Sequence, residues 1–201
     1  MLRRLFTILS LLLCLLAFTG CSSNSRGQLI LSPTNTSKRF SQNFTQAYAS
    51  HNAEDGSYQF LLVSDDADRD RPRTAGTPLH TTEAPPLRQI VHVQIPWMPE
   101  RGHMSDTIVA NAVVDWYILS EVPERQQDVI RYSGVGFALA YPSDKTIDLN
   151  LNNAHLKPEL RRGALTDPLG PFNLSGDIRA LKDPQKVQDL LASTRQRLSA
   201  R

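Results

Sequence analysis

The five histidines, His51, His80, His92, His103 and His155, are the first places to seek acid–base or metal chemistry. No two stand at a strand or helix spacing that would converge on a metal ion. His103 lies between Glu100 and Asp106 in one polar loop, residue types able to supply a general base and an orienting carboxylate. Charged side chains solvated on a loop give the same pattern, and that reading takes precedence. His92 sits within a strand-like apolar run and reads as a half-buried packing residue. Asp65, Asp66, Asp68 and Asp70 alternate as calcium ligands do. The glycine and closing glutamate of a ligand loop are missing, however, and Arg69, Arg71 and Arg73 intrude. Ser133 lacks the flanking glycines of a nucleophile elbow, and Gly134-Val135-Gly136 opens no helix that could cradle a phosphate. Arg161-Arg162 reads as an exposed charged turn. The expectation is a non-enzymatic chain with no catalytic residue, metal or cofactor.

One connection carries a different chemistry. IPWMPERGHM places Trp97, Met98 and Met104 between two strand patterns. Aromatic and thioether side chains in a loop suit contact with a partner or an acyl chain. They are the candidate contact residues, and capping the end of the core is the competing role for Trp97.

The two cysteines, Cys14 and Cys21, both fall near the start of the chain. Arg3-Arg4 precede an uncharged run from Leu5 to Thr19, then Gly20-Cys21 and the polar SSNSRGQ. A basic start, a short apolar run and a small-residue boundary describe a secretory signal. Fifteen residues of helix span ~22 Å, short of the ~30 Å hydrocarbon core. Phe18-Thr19-Gly20-Cys21 resembles the lipobox of bacterial lipoproteins, with Phe18 where leucine is usual. The resemblance covers residues 1–23 and implies cleavage before Cys21, acylation (palmitate among the chains) of its thiol and new amino terminus, and a bilayer anchor. Ser22 after the cysteine resembles lipoproteins sent to the outer membrane, which implies the periplasmic face of that membrane in the cell envelope. Cys14 would leave with the signal, so the mature chain has no disulfide partner for Cys21.

Composition bounds the rest. The chain carries 22 basic and 20 acidic residues. Removing Arg3 and Arg4 leaves 20 against 20, which argues against nucleic acid or an anionic membrane surface as the main partner. The organisation expected is a signal at 1–20, a polar tether at 21–36 and one β-rich globular domain at 37–201. Within that domain, residues 65–86 hold Leu79 as their only large apolar residue and read as a mobile loop.

The elements expected to position these residues are a helix, about six strands and a second helix. Phe40, Phe44, Ala47 and Tyr48 stand at i, i+4, i+7 and i+8, which predicts an amphipathic helix. Strands are predicted at Tyr58–Val63, Leu87–Ile95, across DTIVANAVVDWYILSE, across VIRYSGVGFALAYP, and at TIDLNLN and FNLSGDIRAL. In VIRYSGVGFALAYP, Val135, Phe137, Leu139 and Tyr141 share one face. Gly134, Gly136, Ala138 and Ala140 share the other, against which a helix is expected to pack. Leu29 to Leu31 read as a fragment of edge strand, and HLKPELRRGALTDPLGPF as an irregular connection. DPQKVQDLLASTRQRL is the clearest helix, with Asp183 as cap and Pro184 at its first position. The fold class expected is α+β, an antiparallel sheet of about six strands with an N-terminal and a C-terminal helix packed on it; a β-sandwich is the alternative. The function expected is that of an envelope lipoprotein that binds or assembles with another protein, with an apolar-ligand carrier and a hydrolase as alternatives.

Overall fold

The computed structural model describes residues 26–64, 87–98, 110–122, 128–167 and 169–199. Nine strands follow one another: β1 (Arg26–Pro33), β2 (Phe40–Phe44), β3 (Gln46–His51), β4 (Tyr58–Ser64), β5 (Leu87–Ile95), β6 (Ala112–Ser120), β7 (Val129–Pro142), β8 (Thr146–Arg162) and β9 (Phe172–Lys182). One helix, α1 (Pro184–Ser199), closes the described chain.

Neighbouring strands pair antiparallel from β3 through β9 in chain order, and β9 then pairs parallel with β3 through Leu181 and Lys182. Seven strands thus close into a ring. The β1–β2 hairpin lies along the rest of the same β9 edge, with Arg26 to Pro33 opposite Arg179 to Phe172. The result is a mixed, closed sheet with strands making up 64% of the described residues. This overturns the α+β expectation of six strands and two helices, and the sandwich alternative with it.

The N-terminal helix is the specific error. Residues 40–51 form β2 and β3 with a break at Thr45. A four-residue spacing satisfies a period of 2 as well as one of 3.6, so Phe40 and Phe44 fit both readings. Ala47 and Ala49 point inward from β3, and Asn52–Ser57 turn the chain into β4. β1 covers residues 26–33, inside the span read as tether. β8 runs on to Arg162, through residues read as an irregular connection.

The interior collects the alternate residues of all nine strands: Leu29, Phe60, Val93, Trp116, Tyr132, Leu149 and Leu174 are among those with almost no exposure. Rings of Phe44, Trp116, Phe172 and Tyr132 meet edge to face at centroid distances of 5.9, 5.7 and 5.2 Å. Such pairs add to the burial of apolar area. Tyr132 carries its hydroxyl to the end of the barrel and donates it to Asp167. Asp167 also accepts the amides of Leu169 and Gly170, which pins the β8–β9 connection.

A second apolar cluster lies outside the barrel. Leu61, Val63, Ile90, Tyr117, Leu119 and Val129 face outward and are covered by Leu190, Leu191 and Leu198 of α1. The helix begins as the sequence predicts: the Lys186 amide donates to the Asp183 carboxylate at 2.9 Å, capping its first turn.

Candidate interaction surface

The small-residue face of β7 is filled from the other direction than expected. A Cβ on Gly134 would overlap the backbone oxygen of His155, and one on Gly136 would stand 2.6 Å from Ala154 Cα. The β8 backbone therefore occupies the shallow face where a helix was expected. Register shifts opposite Val135–Phe137, and again opposite Arg131–Tyr132, mark where β8 carries an extra residue and bends to permit this approach.

Bending leaves the large side chains outside. Val135 is 54% exposed and Tyr141 is 55% exposed, with Phe137 and Leu139 half-buried between them on the same face. Val113 pairs with Val135 across β6 and is exposed too. Beside this stripe, the register partners on β8 are Asn152, Asn150 and Asp148. Asn150 donates to Asp177, and Asp148 takes both guanidinium contacts of Arg179 at 2.8 and 3.0 Å. An apolar row flanked by a polar, mutually bonded row has the composition of an interface core beside its rim.

Asn111 terminates the sheet next to the stripe. Its amide nitrogen donates to Ala138 O at 2.9 Å, and its oxygen accepts the Ala138 amide at 2.8 Å. The side chain takes the place of a strand backbone where β6 gives out. It also lies 3.4 Å from the backbone oxygen of Trp97, which ties the end of β5 to the same region.

Of the contact residues named from sequence, Trp97 is 45% exposed, and Met98 is half-buried against the interior cluster. Met104 lies outside the described residues, as do Cys21, His103, Glu100, Asp106 and the whole of 65–86. The structure therefore places Trp97 at the surface and turns Met98 toward the core. Sequence reasoning found the membership of the β7 stripe but not which face was the outer one. The paired glycines were the available signal, since two of them in one strand admit a neighbouring backbone.

The polar groups under α1 form the other candidate. His92, 4% exposed, is the register partner of Asp115 on β6. Asp115 accepts Nε and Nη2 of Arg131 at 3.0 and 2.8 Å, and that guanidinium lies 5.9 Å from the Tyr117 ring centre. Burial lowers the His92 pKa to about 4; Asp115 pulls it up and Arg195 of α1 pushes it further down. Among the described residues His92 Nε2 has no hydrogen-bond partner. A neutral imidazole sealed beneath a helix cannot reach a substrate, so the arrangement is one of packing and ion pairing. Among the described residues no three His, Cys, Asp or Glu side chains gather to hold a metal. Compared with protein-family models, curated proteins and solved structures, the chain finds no significant match.

Proposed function

We propose that this chain is a lipid-anchored envelope protein without catalytic activity, whose barrel binds a protein partner through the outer face of β6 and β7. The lipobox-like run before Cys21 supports the anchor. The observation that carries the binding role is the outer row of exposed Val113, Val135 and Tyr141 with half-buried Phe137 and Leu139 on a closed barrel. A single domain of this size gains nothing from leaving such a row in water. The aromatic rings meeting inside the barrel support binding on its outer face over carriage of an apolar ligand within it.

The test is co-purification from detergent-solubilised envelopes with a double variant, Val135→Ser with Leu139→Ser. Val135 is exposed and Leu139 half-buried on this outer face, and an unchanged urea midpoint checks that the variant keeps the fold. A stoichiometric protein that accompanies the parent chain and is lost from the variant supports the reading. Absence of any stoichiometric protein, or equal recovery with the variant, overturns it.

A further inference from the structure

We infer that the barrel rim carrying Trp97, Tyr141 and the β7–β8 turn rests against the headgroup region of the bilayer that holds Cys21. The inference rests on the anchoring proposed above and adds which end of the molecule meets the lipid.

The register places the rim. Arg26 pairs with Arg179, Arg179 with Asp148, and Asp148 with Tyr141, one transverse row across β1, β9, β8 and β7. Three strand spacings of about 4.8 Å separate its ends, roughly 14 Å. β1 runs antiparallel to β9, so the chain enters β1 from the end at which β9 finishes. That end carries Lys182, whose amide donates to Lys145 O in the β7–β8 turn. Lys182 is also the register partner of Ala49 on β3. Two residues on, His51 pairs with Tyr58, and Tyr58 pairs with Ile95. Trp97 is two residues beyond Ile95, so it joins the same end.

Length then restricts the orientation. Four residues lie between Cys21 and Arg26, which makes five steps from one Cα to the next. Fully extended, they reach at most about 17 Å. An acylated Cys21 would therefore hold this end, not the opposite one, within contact of the membrane. The side chains exposed there are suited to it. Indole and phenol rings bury an apolar body while keeping a polar atom at headgroup level. Lys145, Lys182, Arg26 and Arg179 share the region with Glu54, Asp55, Asp144 and Asp148, so the seating does not require anionic lipid.

The two tryptophans make this measurable. Trp116 is 2% exposed inside the barrel, so bromine on lipid chains can quench only Trp97. The full chain, processed in cells, is reconstituted in phosphatidylcholine vesicles brominated near the headgroup, and the mass of its first peptide reports acylation. Quenching of about half the emission that disappears in Trp97→Phe supports the inference. Acylated, vesicle-bound protein whose emission is unquenched overturns it and leaves the anchor standing. If Trp97 is then shielded from aqueous quenchers only in native envelopes, the rim takes a protein instead. A chain without acyl mass on Cys21 overturns the anchor and this inference together.

Discussion

His92 shows how a single buried group ties stability to pH. Its neighbours are Asp115 with its partner Arg131, the Tyr117 ring, and Arg195 from the helix above. Burial holds the folded pKa near 4, against an ordinary value of 6.5, so the fold favours the neutral ring. Above pH 6.5 this contributes nothing adverse. As pH falls the unfolded chain takes a proton the folded chain refuses, and stability is lost until about pH 4. The loss amounts to about 3 kcal/mol across that window, at roughly 1.4 kcal/mol per pKa unit. Urea unfolding at intervals between pH 7 and 4 should show the decline, and His92→Leu should flatten it while removing an unpartnered buried nitrogen. An equal slope in both proteins would assign the acid sensitivity elsewhere. Tyr132→Phe probes a part-buried polar contact at the end of the barrel. Burial raises the Asp167 pKa, but the Tyr132 hydroxyl and the amides of Gly170 and Leu169 outweigh it and hold the carboxylate below its usual range. Removing the hydroxyl should cost about 1.5–3 kcal/mol and raise the Asp167 titration midpoint, read by carboxyl NMR.

Elements respond to substitution according to what their neighbours do. Gly134 and Gly56 are both glycines needed by the fold, for different reasons. At Gly134 a Cβ meets the β8 backbone, so Gly134→Ala must push β7 and β8 apart and should cost about 3 kcal/mol or more in thermal or urea unfolding. At Gly56 nothing lies within 4 Å, but φ is +70°, so Gly56→Ala should cost only about 1 kcal/mol and Gly56→Asn less. The same distinction explains which elements were legible in the sequence. β5 was expected at Leu87–Ile95 and is found there, because alternation and turn residues bound it on both sides. α1 was equally clear from Asp183-Pro184 and the spacing of Val187, Leu190 and Thr194. β2 and β3 were not, since Phe40 and Phe44 obey two periods at once and Ala47 and Ala49 are weak markers of a buried face. The exposed stripe of β7 was visible as a set of residues. Its outward direction depends on the approach of β8 at His155, a contact between segments about twenty residues apart that no local pattern encodes.

For the whole molecule, anchoring and recognition are separate contributions that fail differently. Two or three acyl chains hold stably where a single chain is marginal, so under the proposed anchoring the barrel would search a membrane surface instead of a volume. Confinement raises the effective concentration of a partner in the same membrane without altering any contact. Cys21→Ser should therefore leave an uncleaved, non-acylated precursor whose barrel unfolds at the parent's urea midpoint. Its affinity for the isolated partner in detergent should also be unchanged. Val135→Ser with Leu139→Ser should do the reverse: acylation and membrane retention persist, while affinity in detergent falls by about tenfold or more, as one exposed and one half-buried apolar side chain lose their burial against the partner. The charge balance of the chain cut before Cys21, as proposed, adds a further expectation. With 20 basic and 20 acidic residues and an apolar contact row, binding should show a negative heat-capacity change and shift little between about 50 and 500 mM salt. Titration calorimetry at several temperatures and salt concentrations measures both quantities. A steep salt dependence would move the interface from the β7 stripe to the charged row of Asp148, Asp177 and Arg179 beside it.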